Sequence, residues 1–334
     1  MINLEFITNQ WENLDKRADL VAAHQFDHII LQNGSPLIVK DMMGIHHLLL
    51  PIGNDDHAYE DKRSSGVHIT ISQWSEAGKT RKYIDIICLK PHLNSLFDMI
   101  VFDVLKDLEI DTADPSRISR NVLSKWRELL NRDPVNLPDK NSLIGIYGEL
   151  WVLRKMIQFD RSAFETWTGP LGARFDFINN GMALEVKTTL QRKGCIVTIH
   201  GVKQLEPMEG SKLFLTVLKL EEIPVGGESI IDLVNSILEN GIDRSSIFSK
   251  LINLNITATN INECSSLKFH MEEEKIFHVD DSFPSITPKM FKGDKLPNGI
   301  VDLTYQIDLS STPPYPLPMD QINDFYKSIS NRGK

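Results

Sequence analysis

The amino-acid sequence predicts an α/β protein. Two segments in its first third, 67–74 and 83–89, alternate apolar and polar residues, as half-buried β-strands do. Apolar residues then recur at helical spacing over 92–108 and 116–130. Because strand and helix patterns succeed one another again after residue 140, we expect sheets and helices to pack in the same domains.

The length and one polar segment predict how the chain is divided. A chain of 334 residues favours two domains, at roughly 100–200 residues per domain. The boundary is expected at 131–140, which is polar and contains two prolines. We therefore expect an N-terminal α+β region over 1–134, a core over 138–255, and a C-terminal extension over 256–334 that packs on the core.

Composition bounds the classes of function. The chain has 36 Lys and Arg against 45 Asp and Glu, a net charge of −9. Proteins that hold nucleic acid by nonspecific electrostatics are usually basic. If nucleic acid is the substrate, a local basic patch or a partner must therefore supply the affinity.

The cysteines and the hydropathy indicate a cytoplasmic protein. Cys88, Cys195 and Cys264 are odd in number, and none belongs to a Cys-x-x-Cys pair. A zinc–cysteine site or a disulfide framework is therefore not expected. No apolar run approaches the roughly 20 residues that span a bilayer, and the first residues lack the pattern of a secretory signal.

The core is predicted to begin with an apolar helix over 142–159. Short strands and two further helices follow it. The expected strands are 163–168, 174–179, 182–189, 195–200 and 213–220, and the expected helices are 230–238 and 244–251.

The Asn180-Gly181 pair is the strongest hairpin signal in the chain. If these residues form the turn, the segments 174–179 and 182–189 pair so that Asp176 lies opposite Glu185. Alternate residues then share a face, with Lys187 beside the two acids. The other face is predicted to be apolar and consists of Phe175, Phe177, Met182, Leu184 and Val186.

Two opposed carboxylates indicate a metal site. Their Cβ atoms would lie roughly 5 Å apart, and like charges in that position repel. A divalent cation removes the repulsion, and oxygen ligands suit Mg²⁺ or Mn²⁺. Lys187 could then orient the attacking water and stabilise phosphate charge. The alternative is a solvated face of mixed charge, since Glu-x-Lys triplets also occur at 60–62 and 273–275.

Glu149 is a third candidate acid, because it lies in the apolar stripe of the predicted helix. The residues that share its face are Ile146, Val152 and Leu153. Gly148 costs about 1 kcal/mol of helix stability relative to Ala, which indicates a close approach to another element. A buried glutamate is rarely left unpaired, so we expect Glu149 near the hairpin acids. The alternative is a helix edge where it reaches water or Arg154.

These residues resemble the PD-(D/E)XK restriction-endonuclease-like superfamily, whose core is a helix, a three-stranded meander, another helix and a strand. Asp176, Glu185, Val186 and Lys187 match its motif, and Glu149 matches the helix glutamate of many members. The chain is similar in particular to a bacterial family of PD-(D/E)XK proteins encoded near DNA methyltransferases and ATPases. The segments that carry this similarity are 148–151, 167–170, 176–177, 185–189 and 204–205.

The resemblance implies Mg²⁺-dependent hydrolysis of DNA phosphodiester bonds, with Mn²⁺ as an alternative ion. It implies that Asp176 and Glu185 bind the metal, with the Val186 carbonyl as a third ligand. Lys187 would orient the attacking water. Glu149 would bind a second metal or position Lys187. Gln204 would touch the phosphate or Lys187, unless it is simply solvated.

The implied partners are double-stranded DNA and other subunits of a restriction system, such as a multi-subunit type II enzyme; a homodimer stays open. The alternative is a non-catalytic structural or DNA-recognition subunit on the same fold. The intact set of Asp176, Glu185 and Lys187 favours the nuclease. A hydrolase of another phosphate ester is disfavoured only by the resemblance.

Three basic residues near the motif, Arg192, Lys193 and Lys203, are expected to contact DNA phosphates, with a charged hairpin end as the alternative. Trp167 is expected in a packed turn rather than as a base-stacking platform, and His200 is expected to be structural. His46 and His47 are not expected to share a metal, because adjacent strand residues point to opposite faces.

Overall fold

The computed structural model describes residues 2–15, 22–54, 58–76, 79–131, 136–223, 225–311 and 313–331. The chain forms two compact units, Met1–Pro134 and Val135–Lys334. Ala77 and Gly78, between the two alternating segments, and residues 132–135 of the predicted boundary lie outside the described residues.

The N-terminal unit places helices beside an antiparallel sheet. Its elements are α1 (Leu4–Asp15), β1 (Ala22–Gln25), β2 (Leu37–Lys40), β3 (His46–Ile52), β4 (Val67–Glu76), β5 (Lys79–Cys88), α2 (Asn94–Ile110) and α3 (Pro115–Leu130). The strand order is β1-β2-β3-β5-β4. Leu96, Ile100, Val104 and Leu108, which recur at helical spacing, are all buried in α2, which confirms the helical periodicity. The strand β5 begins at Lys79, four residues before the alternating segment 83–89.

The adjacent histidines of β3 are both buried and contact different partners. His46 stacks on Trp11, with 4.0 Å between the ring centroids. Nδ1 of His47 lies 2.9 Å from Oδ1 of Asp85. The two side chains therefore point to opposite faces of the sheet, as the period of two in a strand requires.

The C-terminal unit is built on a mixed sheet. Its elements are α4 (Lys140–Ile157), β6 (Phe177–Asn179), β7 (Met182–Thr189), β8 (Ile196–His200), β9 (Lys212–Glu222), β10 (Glu228–Ser229), α5 (Ile230–Glu239), α6 (Arg244–Leu251), β11 (Lys268–Val279), β12 (Thr304–Asp308) and α7 (Ile322–Ser330). The strand order is β10-β11-β9-β7-β6, with β7 and β9 parallel. The α/β class is confirmed. None of the described helices is long and apolar enough to cross a membrane.

Helix α4 begins at a capped residue and packs closely on the sheet. The Asp139 side chain accepts a hydrogen bond from the Ser142 N–H at 2.8 Å, which satisfies a free donor of the first turn. A Cβ atom on Gly148 would lie 2.4 Å from Cγ2 of Thr188 on β7. This confirms the close approach that the glycine indicated.

The strand β8 differs from the expected meander, because it pairs with β12 in a separate two-stranded sheet. Turn residues, rather than a helix, connect β8 to β9 over 201–211. Val197 and Ile199 of β8 instead pack against Ala183 and Leu215 in one apolar cluster. The β8–β12 ribbon therefore covers one face of the mixed sheet instead of extending it.

The strand predicted at 163–168 is wrong, because Arg161–Thr166 forms a 3₁₀ helix. The Asp160 side chain accepts from the Ser162 N–H at 2.8 Å, and the Thr166 hydroxyl donates to the Ala163 carbonyl at 2.7 Å. Such local side-chain bonds offer the backbone an alternative to a strand ladder. Trp167 retains a single antiparallel bridge to Phe177.

Candidate active site

The hairpin has the predicted register. Asn180 and Gly181 both have positive φ, 44° and 73°, as a type I′ turn requires. Ladder pairs join Asn179 with Met182 and Phe177 with Leu184. The next position along the hairpin brings Asp176 beside the Glu185–Val186 segment.

The predicted face of Phe175 is wrong. Regular pairing in β6 begins at Phe177, and residues 174–176 form a bend. Phe175 packs in one cluster with Ala183 and Leu215, on the face of the sheet that Glu185 occupies. Both faces of β7 are therefore covered, so that this part of the site is desolvated.

Asp176 is fixed through both its side chain and its main chain. Its Oδ2 accepts from the Val186 N–H at 2.7 Å, just beyond the last ladder pair. Its carbonyl oxygen accepts from the N–H groups of Thr168 and Gly169 at 2.8 and 3.0 Å. The carboxylate therefore lies at the edge of β7 in one defined position.

Glu185 is buried, with 3% of its surface exposed, and binds two side chains through one oxygen. Its Oε1 accepts from Nζ of Lys187 at 2.8 Å and from Nε2 of Gln204 at 2.6 Å. Oε1 of Gln204 in turn accepts from the His200 N–H at 2.8 Å. Gln204 thus links the end of β8 to the acid that Lys187 also binds.

Glu149 lies on α4 and contacts the segment of Trp167 and Gly169, which the sequence did not assign a role in the site. Its Oε2 accepts from Nε1 of Trp167 at 2.8 Å. A Cβ atom on Gly169 would lie 2.8 Å from that Oε2 and 3.1 Å from Oδ1 of Asp176. Glycine at this position therefore lets the segment pass between the two acids.

Two more residues hold the surrounding backbone. Lys250 is buried, and its Nζ donates to the carbonyls of Phe164 and Trp167, each at 2.8 Å. Arg174 donates to the Lys203 carbonyl at 2.7 Å and also binds the carbonyl of Glu206, so that it clamps the turn that carries Gln204. The Gly169-Pro170 pair predicts a turn beside Trp167. No local sequence pattern indicates that Lys250 or Arg174 belongs to the site.

The electrostatics of the site are dominated by crowded acids. Burial, and then the neighbouring Asp176, raise the pKa of Glu149 well above its usual range. Burial raises the pKa of Asp176 to about 6, against the opposing effects of the Val186 N–H and Lys187. Burial and Asp176 raise the pKa of Glu185 to about 8, while Lys187 opposes the shift. Lys187 is the one cation that opposes the shifts of all three carboxyl groups, so the acids are not fully neutralised when they are ionised.

The carboxylate oxygens of Glu149, Asp176 and Glu185 are of the type that binds divalent cations. Carboxylate oxygens are hard ligands, and a cation would relieve the repulsion that raises these pKa values. In the present side-chain arrangement, the described residues hold no group of three His, Cys, Asp or Glu positioned to coordinate a metal ion. Backbone oxygens and waters would therefore have to complete the coordination, as they commonly do for Mg²⁺.

The other predicted residues differ in where they lie relative to this cluster. Lys203 is exposed on the turn beside Gln204. Arg192 and Lys193 are also exposed, but they precede β8, whereas Gln204 follows it. Trp167 is fully buried, as expected for a packed turn, and the His200 ring is exposed rather than packed.

The comparisons with known proteins agree with this geometry. Residues 7–310 match one family model, whose description is "Putative PD-(D/E)XK family member, (DUF4420)". Searches of the curated proteins and of the solved structures gave no match. Because the matched residues span most of the 334, the chain belongs to this PD-(D/E)XK family, and the family indicates a nuclease-like function.

Proposed function

We propose that the chain is a divalent-metal-dependent DNA endonuclease, the cleavage component of a restriction-modification system. The observation that carries the proposal is the meeting of Glu149, Asp176 and Glu185 with Lys187. Three acids and one lysine crowded into a largely buried site cost folding stability, and such an arrangement is typical of functional sites.

Asp176 and Glu185 are the proposed ligands of Mg²⁺ or Mn²⁺, with the Val186 carbonyl as a third. When bound, such an ion withdraws charge from the phosphate and lowers the pKa of a coordinated water. Glu149 is the proposed ligand of a second ion. The Val186 N–H and the Trp167 indole fix the orientations of Asp176 and Glu149 before any ion arrives.

Lys187 is the proposed group that orients the attacking water. Its Nζ is held by Glu185 at 2.8 Å, so its position is set within the site rather than left to solvent. The ammonium group donates to an oxygen of the water or the phosphate and stabilises the negative charge that develops there. Gln204 holds the same Glu185 oxygen and thereby limits the rotation of that carboxylate.

The proposed partners are double-stranded DNA and further subunits of a restriction system, and a homodimer remains part of the proposal. The net charge of −9 supports a need for partners, since the lone chain is expected to bind DNA weakly at physiological salt. Tight, sequence-specific binding by the isolated chain would show that recognition belongs to this chain after all.

A plasmid-cleavage assay tests the proposal. We expect cleavage with Mg²⁺ and none with EDTA, in assays run with and without the products of neighbouring genes. Lys187→Ala should abolish cleavage, because it removes the group that positions the water. Lys275→Ala is a matched control, because Lys275 pairs with Glu273 at 3.1 Å in another Glu-x-Lys triplet. Wild-type cleavage by Lys187→Ala would refute the assignment and favour the non-catalytic alternative.

A further inference from the structure

The segment 287–301 is part of the connection between β11 and β12 and is a basic segment that the proposed mechanism does not use. We call it the lysine loop. It contains Lys289, Lys292 and Lys295 against a single acid, Asp294, while the flanking parts of the connection contain Asp280, Asp281 and Asp302. All three lysines are exposed, and none makes an ion pair with a described residue.

Several other cations of this unit are engaged by acids. Lys140, Arg154 and Lys155 each bind a glutamate, and Lys219 lies 3.0 Å from Glu272. A protein of net charge −9 that leaves three neighbouring lysines without acidic partners has a local positive surface.

Both ends of the lysine loop are fixed beside the candidate site. Just before it, the Ile286 N–H donates to the Tyr305 hydroxyl at 3.0 Å. Just after it, the Leu303 carbonyl accepts from the Gly201 N–H at 2.8 Å. Gly201 opens the turn that carries Gln204, whose amide contacts Glu185. The loop therefore leaves the protein at the end of β8 that adjoins the site.

The same loop also exposes apolar side chains. Val301 is 96% exposed, Met290 is 63% exposed and Ile300 is 49% exposed. Apolar residues among lysines suit a nucleic-acid surface, where cations bind phosphates and apolar groups contact sugars and bases in a groove.

We propose that the lysine loop binds the phosphate backbone of duplex DNA and, together with Lys203, holds the duplex against the site of Glu185. This inference rests on the proposed function and adds to it a specific surface. It also offers an acidic chain a surface for its substrate, because Lys289, Lys292 and Lys295 are exposed close together in sequence.

The test measures binding separately from cleavage. A labelled 30-base-pair duplex is titrated by fluorescence anisotropy with the Lys187→Ala protein in EDTA, at several KCl concentrations. The triple variant Lys289→Gln, Lys292→Gln and Lys295→Gln is compared in the same background. The slope of log K against log salt is negative, and each lost phosphate contact reduces its magnitude by about 0.9. For three lysines we expect the magnitude of the slope to fall by about 2.7, with weaker binding at low salt.

A control variant separates the loop from net charge. Lys62→Gln, Lys106→Gln and Lys327→Gln change the charge equally at exposed positions outside the loop, and they should leave the slope nearly unchanged. Equal effects of the two triple variants, or no measurable binding by the parent protein, would overturn the inference.

A second measurement distinguishes this inference from the proposed function. The rise in melting temperature with Mn²⁺ should persist in the loop variant, since the loop supplies no proposed ligand. A loop variant that loses this rise as well as its DNA affinity has a disturbed site, and this outcome counts against a role confined to DNA contact. If the wild-type protein shows no rise in melting temperature with Mn²⁺, the proposed metal site is refuted, and the DNA-binding result for the loop is judged separately.

Discussion

The indole N–H of Trp167 donates a hydrogen bond to Oε2 of Glu149 at 2.8 Å. The carbonyl of the same tryptophan accepts from the buried Nζ of Lys250 at 2.8 Å. Trp167 therefore connects a glutamate of α4 to a lysine of α6 through one residue. The orientation of Glu149 depends on elements about a hundred residues apart in sequence, which explains why no local motif reveals it.

Trp167→Phe should impair cleavage more than it impairs folding. The change keeps most of the buried ring but removes the N–H, so Glu149 loses a donor inside the site. An unpaired buried acceptor costs about 1–3 kcal/mol, and the partly exposed Glu149 should cost less than that. Because this bond lowers the pKa of Glu149, its loss should raise that pKa further. The cleavage rate against Mg²⁺ concentration and the melting temperature are measured together. Trp151→Phe, on the same helix as Glu149, is the control, and equal losses in both variants would deny Trp167 a specific role.

Gly169→Ala should reduce metal-dependent activity by crowding the acids. Its Cβ would lie 2.8 Å from Oε2 of Glu149 and 3.1 Å from Oδ1 of Asp176, so at least one carboxylate must move. Gly145→Ala on α4 is the matched control, since nothing lies within 4 Å of its Cβ position and alanine favours the helix by about 1 kcal/mol. Cleavage assays on both variants check the prediction. Full activity in Gly169→Ala would show that the narrow passage has no functional importance.

Asp176→Asn should stabilise the metal-free protein and remove most of the rise in melting temperature with Mg²⁺ or Mn²⁺. The substitution relieves repulsion with Glu185 and Glu149, and the amide oxygen can still accept from the Val186 N–H. An ion that binds only the folded state contributes about 2.7 kcal/mol at a hundredfold excess over its dissociation constant. Thermal melts with EDTA and with Mn²⁺ test this. An undiminished metal effect in the variant would exclude Asp176 as a ligand.

The stability of the metal-free protein should fall as the pH rises. Glu185 has an ordinary pKa of 4.5 and a pKa of about 8 in the folded chain. A raised pKa means that its contribution to folding is fully present below pH 4.5 and is lost as the pH rises through about 8. Urea unfolding between pH 5 and 9 in EDTA measures this slope. Glu185→Gln should flatten it, and an equal slope in that variant would place its origin elsewhere.

Asp98 gives the N-terminal unit a pH dependence of the same sign. Burial raises its pKa to about 7 from 3.8, although the Thr8 hydroxyl donates to its Oδ2 at 3.1 Å. Its contribution to stability is present below pH 3.8 and is lost as the pH passes about 7. Asp98→Asn should therefore raise the melting temperature at pH 8 more than at pH 5. A difference that does not change with pH would show that Asp98 is not protonated in the folded state.

The sequence predicts the parts of the site that are local. Asn180-Gly181 determines the turn, and the strand period then places Asp176 beside the Glu185–Val186 segment without any knowledge of the rest of the chain. Phe175 escapes this reasoning, because regular pairing begins two residues later and the bend turns its side chain to the other face.

The parts that sequence does not predict arise from distant contacts. The alternating pattern of β8 fits an extension of the hairpin as well as the separate ribbon that it forms with β12. Whether β8 extends the hairpin or pairs elsewhere depends on whether an edge of β7 is free. The Asp176 side chain occupies one edge beside Val186 and β9 occupies the other, so β8 pairs with β12 instead. Lys250 is similar, since a lysine on a short helix carries no sign of the carbonyls that it will meet.

The position of β11 in the sheet sets the order in which the site can form during synthesis. The strand β9 pairs with β7 on one side and with β11, residues 268–279, on the other. Asn179 of the hairpin also donates to the Ile329 carbonyl at 2.5 Å. A ribosome that has translated Asp176, Glu185 and Lys187 has therefore made every proposed reacting group but not the sheet that holds them. Since parallel and long-range pairings form slowly, this order should keep the nascent chain inactive until most of it has emerged.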